Sequence, residues 1–116
     1  MTKIYGIKNC STVKKALNWL DENEIEYEFH DYKKLGASRA DLEKFVDKFG
    51  WGKVLNRKGM TWRNLSADEQ NKITDKDSAI ELMIEKTSII KRPILDSGSN
   101  QLLGFDESEY ADAFKG

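Results

Sequence analysis

Apolar residues recur along the chain with two different periods, and the places where the period changes predict its elements. Residues 2–7 are mostly β-branched, aromatic or apolar, which favours a buried strand that passes into a loop at residues 8–10. Ser11 or Thr12 is expected to cap a helix that ends near Asn23. Apolar positions with the i, i+3, i+4, i+7 spacing of a helix follow: Val13, Ala16, Leu17 and Leu20.

A strict alternation follows this helix. Apolar and polar residues alternate over residues 25–30, which predicts a half-buried strand with His30 on its solvent side. Two strands joined by a helix of this length form a βαβ unit in which the strands are parallel. The first half of the sheet is therefore expected to be a parallel pair.

The middle of the chain has the helical period instead. Ser38 is expected to begin a helix that Gly50 ends, and Asp77 is expected to begin another. The later helix is predicted to turn three residues inward: Ile80, Met83 and Ile84. Residues 38–90 are therefore interpreted as a helical block inserted into the sheet framework.

Strand signals return near the C-terminus. Pro93, the single proline, opens a β segment, and the turn-forming residues 97–100 separate two apolar pairs, which predicts a hairpin. Asp106 has the position of an N-cap before a last helix. The order strand–helix–strand, helical insertion, strand–strand–helix predicts an α/β, thioredoxin-like fold with a four-stranded mixed sheet, in a single domain over residues 1–116.

Composition narrows the classes of function. The chain has 116 residues, and its 19 basic and 20 acidic side chains leave a net charge of −1, which argues against a broad nucleic-acid surface. No apolar run approaches the roughly 20 residues that span a bilayer, and the first residues do not resemble a secretion signal. One cysteine cannot form an internal disulfide framework, so a reducing compartment is expected, with the cytoplasm as the default.

Cys10 lies where a strand passes through a loop into a helix. A thiol there faces unpaired backbone N–H groups and the positive end of the helix dipole, which favour the thiolate, and Lys8, Lys14 and Lys15 add nearby positive charge. A buried core cysteine is the alternative, although the loop position favours reactivity. Val13 stands three residues on, so no second sulfur resolves a mixed disulfide, and turnover requires an external thiol.

Two arginines and the proline are further candidates. Arg57 and Arg92 carry the guanidinium geometry that binds anions bidentately, whereas solvated surface positions are the ordinary alternative for either. A cis Arg92–Pro93 bond that faces the cysteine loop would explain a proline in a β segment, but most such bonds are trans. One cysteine and one histidine, far apart in the sequence, do not make a metal site.

Six segments, in order over nearly the whole chain, carry a family resemblance: residues 4–10, 13–16, 51–57, 61–63, 90–95 and 103–105. Through them the chain resembles the arsenate reductase superfamily, in its Spx/YffB-type branch. The resemblance implies a thioredoxin fold with a helical insertion and a cis bond before Pro93. It also implies a nucleophilic Cys10, no bound cofactor, and glutathione as co-substrate or a glutaredoxin-type protein as reductant.

The resemblance also implies a set of site residues, since Arg57 and Arg92 correspond to arginines near the cysteine of glutathione-linked arsenate reductases. The predicted substrate- or glutathione-binding residues are Lys8, Asn9, Thr12, Lys14, Arg57, Arg92 and Pro93. The reductases have a histidine, an arginine and a further arginine where this chain has Gly6, Lys14 and Gly104. A site without these groups is expected to hold arsenate poorly, because a charge-assisted hydrogen bond is worth about 1.5–3 kcal/mol.

Three functions remain open from the sequence. The first is a glutathione-dependent monothiol reductase of unknown substrate, without direct nucleic-acid or membrane binding. The second is an Spx-like binding protein that contacts RNA polymerase or another partner through its helical block, with a vestigial Cys10. The third is arsenate reduction. Val13 weighs against the Cys-x-x-Cys redox switch of Spx-type regulators, and Gly104 weighs against arsenate.

Overall fold

The computed structural model describes residues 2–114, which form two compact units. One unit comprises the residues up to Tyr32 and those from Arg92 onward, and the other is Lys33–Lys91. The second unit contains the helical insertion predicted at residues 38–90. That the whole chain forms a single domain stays a prediction.

The first unit holds a four-stranded mixed sheet. Its elements are β1 (Lys3–Gly6), α1 (Ser11–Glu22), β2 (Glu28–Asp31), β3 (Ile94–Asp96), β4 (Gln101–Leu103) and, near the C-terminus, a last helix at Glu107–Phe114. The strand order is β2-β1-β3-β4, with β1 parallel to β2 and antiparallel to β3, and with β3 antiparallel to β4. This arrangement confirms the thioredoxin-like fold and the parallel first pair.

A compact apolar core joins this sheet to the helices of the same unit. Its fully buried residues are Ile4, Ala16, Leu20, Leu95 and Tyr110. Trp19 meets the Tyr110 ring edge-on at 5.6 Å between centroids, so this tryptophan packs at the rim of the core. The helical period of α1 thus produces one buried face, and the first unit is a sheet with α1 and the last helix packed on it.

The second unit is helical. Its elements are α2 (Tyr32–Leu35, of which Tyr32 belongs to the first unit), α3 (Arg39–Phe49), α4 (Trp51–Val54), α5 (Met60–Arg63), α6 (Ala67–Asn71), α7 (Lys76–Glu85) and a short 3-10 helix (Thr87–Ile89). With these, the C-terminal helix Glu107–Phe114 is α8. Ser38 caps α3 by accepting the N–H of Asp41, and Gly50, with φ +90°, ends it, both as predicted.

Five local predictions were wrong, and two of them concern where elements begin in the first unit. The N-cap of α1 is Cys10, not Ser11 or Thr12. β2 covers Glu28–Asp31 rather than residues 25–30, because the chain is still completing the end of α1: the N–H of Ile25 bonds back to Leu20 and Glu24 has φ +56°.

The other three concern the exposure of His30, the start of a helix and the burial of Ile84. His30 is half-buried, because its ring lies 5.0 Å from that of Tyr5 and 5.4 Å from that of Tyr32. α7 begins at Lys76 with Asp75 as its cap, and its Ile84 is 37% exposed instead of buried. The capping bond from the N–H of Ser78 to Asp75 fixes this earlier start.

Candidate active site

Cys10 occupies the N-cap of α1 and is partly exposed. Its backbone is extended, with φ −123° and ψ 122°, and its carbonyl accepts the first helical hydrogen bond from the N–H of Lys14 at 3.0 Å. An N-cap side chain lies over the free N–H groups of the first turn. The thiol is therefore accessible to a reagent and set against backbone donors, which excludes the alternative of a buried core cysteine.

Several groups act on the Cys10 thiol, and their balance lowers its pKa below the ordinary value of 9.0. Partial burial is the largest single contribution and raises the pKa, but backbone hydrogen bonds from Val13 and Thr12 oppose it. Arg92 then lowers the pKa further, through a hydrogen bond from its side chain and through its charge. Together the two amides and the guanidinium stabilise the thiolate more than desolvation penalises it.

Arg92 reaches the thiol from the other end of the chain. It directly precedes Pro93, and the bond between them is cis, as the resemblance implied. Pro93 is buried, and its carbonyl accepts the N–H of Gly104 at 2.8 Å, which ties the start of β3 to the end of β4. Of the predicted binding residues, the structure therefore brings Arg92 and Thr12 directly to Cys10.

The lysines near Cys10 have a different position. Lys8, Lys14 and Lys15 are exposed, as is Asn9 in the loop before the cysteine. Among the largest contributions to the thiol pKa, the cation is Arg92. A stabilised thiolate was thus predicted in the correct direction, but the cation that stabilises it is Arg92 and not the flanking lysines.

Gly6 and Val13 explain how α1 comes so close to β1. A Cβ at Gly6 would lie 2.8 Å from Cγ2 of Val13, a separation that real Cβ atoms do not show. Val13 is fully buried, so it cannot move aside without disturbing the packing. Glycine at this position of β1 therefore leaves room for the buried Val13 side chain of α1.

Gly104 has a conformation that disfavours a side chain. Its φ is +79°, in the region that L residues adopt at a cost. Arsenate reductases have an arginine at this position, as noted above. The turn after β4 therefore differs from that of the reductases in two respects: it lacks the arginine, and its backbone conformation favours glycine.

Arg57 belongs to the second unit and is described within it. It follows α4, is exposed, and its guanidinium carbon lies 6.0 Å from the centre of the Trp51 ring. A Cβ at Gly52 would lie 3.4 Å from an Nη atom of Arg57, so the arginine rests closely on α4. A cation over an aromatic face is held by an attraction of about 0.5–1 kcal/mol at exposed sites, and sequence reasoning missed this partner.

Other classes of site are not supported by the described residues. Among residues 2–114, no group of three or more histidine, cysteine, aspartate or glutamate side chains is placed to hold a metal ion. No helix in this part of the chain is long and apolar enough to cross a membrane. The chemistry that the first unit does present is a partly exposed, stabilised thiol beside a guanidinium.

Known proteins resemble the chain over nearly its full length. The model of the ArsC family matches residues 5–113. An uncharacterised protein of Haemophilus influenzae is 43% identical over 114 residues, which cover 98% of this chain and 99% of that protein. The global transcriptional regulator Spx of Streptococcus pyogenes is 24% identical over 112 residues, with 94% and 81% covered.

Solved structures show the same likeness. The "YFFB (PA3664) protein" superposes with a TM-score of 0.93 at 45% identity, over 97% of this chain and 98% of that one. An arsenate reductase (ArsC) related protein from Brucella melitensis superposes with a TM-score of 0.73 at 43% identity, over 98% and 94%. The similarity thus extends over the whole fold, including the Cys10 loop and the Arg92–Pro93 segment.

Proposed function

The chain belongs to the ArsC family, in its Spx- and YffB-like branch, and we propose that it is a glutathione-dependent monothiol oxidoreductase with Cys10 as nucleophile. The observation that carries this proposal is the Cys10 thiol at the start of α1, whose pKa is lowered by two backbone amides and Arg92 despite partial burial. Thiolates, not thiols, attack disulfides. The position of the Cys10 thiol at a helix N-terminus supports this proposal, since such positions favour the thiolate.

The proposed cycle needs one protein sulfur and one external thiol. The Cys10 thiolate attacks one sulfur of an oxidised disulfide substrate, which forms a mixed disulfide and releases the other sulfur as a thiolate. A glutathione thiolate then attacks the mixed disulfide and frees Cys10, and the substrate sulfur leaves joined to glutathione. Val13 supplies no sulfur, so glutathione or a glutaredoxin-type protein completes the cycle. A cytoplasmic glutathione pool is the setting that this cycle requires.

Anion binding is the role proposed for the cationic residues. Glutathione carries two carboxylates, and Arg92 and Arg57 are proposed to bind them, with Lys8 and Lys14 as weaker exposed cations. The proposed glutathione site is completed by groups that bind or shape it: Asn9, Thr12 and Pro93. These assignments stay predictions, apart from the contacts of Arg92 and Thr12 with the thiol.

Oxidised glutathione should give a stable one-to-one adduct on the native protein, and reduced glutathione should reverse it. Intact-mass spectrometry measures both steps, with Cys10→Ser as the variant that should take up none. Arg57→Ala should slow adduct formation, and more so at low salt, where charge attraction is least screened. If the folded protein takes up no glutathione under conditions that modify a free peptide cysteine, the proposal is wrong; an unchanged rate in Arg57→Ala would remove only that residue's role.

Arsenate reduction is a weaker candidate, and Gly104 is the reason. Native turnover of arsenate with glutathione and glutaredoxin should be slight, because the fixed donors that would stabilise a multiply charged oxyanion are incomplete. Gly104→Arg should not restore it, since a side chain at φ +79° should lower the free energy of unfolding by about 1–2 kcal/mol. Urea titration measures that loss, with Gly104→Asn as the milder control. Brisk native turnover would favour arsenate as the substrate.

A partner-binding regulator is the second candidate function, and the similarity to Spx favours it. Such a protein would act through its helical unit and would not need a reactive Cys10. The two functions differ in what Cys10→Ser does: it should abolish a thiol reductase and leave a binding module intact. The lowered thiol pKa supports the reductase as the first candidate.

A further inference from the structure

Charge is unevenly distributed along the chain. Residues 48–67 contain five of its 19 basic side chains and none of its 20 acidic ones. We call these residues the basic segment, and its cations are Lys48, Lys53, Arg57, Lys58 and Arg63. Although the whole chain has a net charge of −1, the basic segment of the second unit carries five positive charges and no negative one. The remaining residues of that unit have a net negative charge.

Within the described residues, no carboxylate neutralises these cations. All five are exposed, and none of them forms an ion pair with a residue of 2–114. Asp47, directly before the segment, is engaged by Lys76, whose Nζ lies 2.7 Å from Oδ1 of Asp47. In the same unit Arg39 pairs with Glu81. The basic segment is thus left with unneutralised charge, whereas three cations outside it have acidic partners: Lys3, Arg39 and Lys76.

The segment also exposes apolar surface on anchored elements. Met60 is 69% exposed, and Trp51 and Trp62 are half-buried. α5 is held by two side-chain bonds, between the hydroxyls of Thr61 and Ser88 at 2.8 Å and from the Gln70 amide to the Trp62 carbonyl at 2.9 Å. Methionine, tryptophan and arginine are among the residues enriched at protein interfaces, and a pre-ordered surface loses less entropy on binding.

We propose that the basic segment is a docking surface for an acidic, partly apolar surface of another protein. Its unneutralised cations supply electrostatic attraction, and Met60 with the tryptophan faces supplies apolar contact. A nucleic-acid backbone would use the cations but not an exposed methionine, so a protein partner fits the whole surface better. This inference does not depend on Cys10 chemistry.

A charge reversal with a matched control tests the surface. The probe is a synthetic peptide of glutamates with interspersed leucines, and its binding to the full chain is followed by backbone amide shifts. Lys53→Glu/Lys58→Glu should weaken binding about tenfold, since each exposed charge pair contributes up to about 1 kcal/mol. Lys34→Glu/Lys72→Glu reverses two other exposed cations and should change binding less than about twofold. The control variant Lys34→Glu/Lys72→Glu should form the Cys10–glutathione adduct at the native rate.

The outcomes separate the alternatives. Shifts that cluster at residues 51–63, with loss of affinity when the peptide's leucines become serines, support the proposal. Three results would overturn it: equal weakening of peptide binding in the two double variants, no peptide binding at all, or an affinity that is unchanged when the leucines become serines. Tighter binding of a single-stranded oligouridylate of equal charge would assign the surface to nucleic acid instead. A normal adduct rate in either case leaves the proposed thiol function standing.

Discussion

Val13→Cys should convert a persistent Cys10–glutathione adduct into a transient one. Val13 lies three residues after Cys10 in the first turn of α1, and its backbone amide helps to lower the pKa of the thiol, so this position is next to the sulfur. A thiol placed there is intramolecular with the mixed disulfide, and such proximity greatly accelerates attack. We expect the adduct to disappear at least ~10-fold faster, with an internal disulfide between Cys10 and the introduced thiol as the product.

Val13→Ala is the matched control for this substitution. It removes the same buried methyl groups without adding a sulfur. The variant's free energy of unfolding should therefore fall by about 1–2 kcal/mol, yet its glutathione adduct should stay stable. Intact-mass time courses after oxidised glutathione distinguish the two variants. A Val13→Cys adduct that lasts as long as the Val13→Ala adduct would show that the position cannot reach Cys10.

Arg92→Ala should raise the pKa of Cys10 and slow its reactions at neutral pH. The guanidinium both donates a hydrogen bond to the sulfur and stabilises its charge. Losing a charge-assisted hydrogen bond of about 1.5 kcal/mol would reduce the rate of alkylation by roughly tenfold. Arg92→Lys should recover part of the rate, because the charge remains without the fixed fork geometry.

Lys14→Ala separates this effect from general positive charge. Lys14 is exposed on α1, so its removal should change the alkylation rate much less than Arg92→Ala does. Iodoacetamide kinetics against pH measure both. Equal effects of the two substitutions would restore the idea that the flanking lysines stabilise the thiolate.

The periodicities predicted the framework of the fold because tertiary burial imposes them directly. The apolar face of α1 and the hairpin around residues 97–100 both appear as expected, since each pattern is local in sequence. Boundaries set by backbone geometry were missed. Cys10 is a poor cap former, so no pattern identified it as the N-cap, and the turn at Glu24 that delays β2 carries no proline or glycine signal.

The features of the candidate site that are local in sequence were likewise predicted, and the contacts between distant residues were not. The position of Cys10 followed from strand-loop-helix order, but the contact with Arg92 joins residues far apart in the chain, which no local pattern reveals. The resemblance implied that arginine without giving its atom-level role. Gly6 offered a usable signal: a glycine inside a strand often marks a close approach, here of Val13.

The pH dependence of stability has a defined sign. Because the native Cys10 pKa lies below the unfolded value, the native state holds fewer protons between the two values. This contribution is fully present above the unfolded pKa of about 9.0 and is lost as the pH falls through the native pKa. Cys10→Ser should lack this increase in stability.

Titration of the Cys10 thiolate in the folded protein is the decisive test of a nucleophilic Cys10. Ultraviolet absorbance of the thiolate is followed against pH, with Cys10→Ser subtracting the tyrosines, and the same titration is repeated in denaturant. We expect a midpoint clearly below that of the denatured chain, because Val13, Thr12 and Arg92 stabilise the thiolate only in the fold. A native midpoint at or above the denatured one would contradict it, and Cys10 would then have no physical basis as a nucleophile.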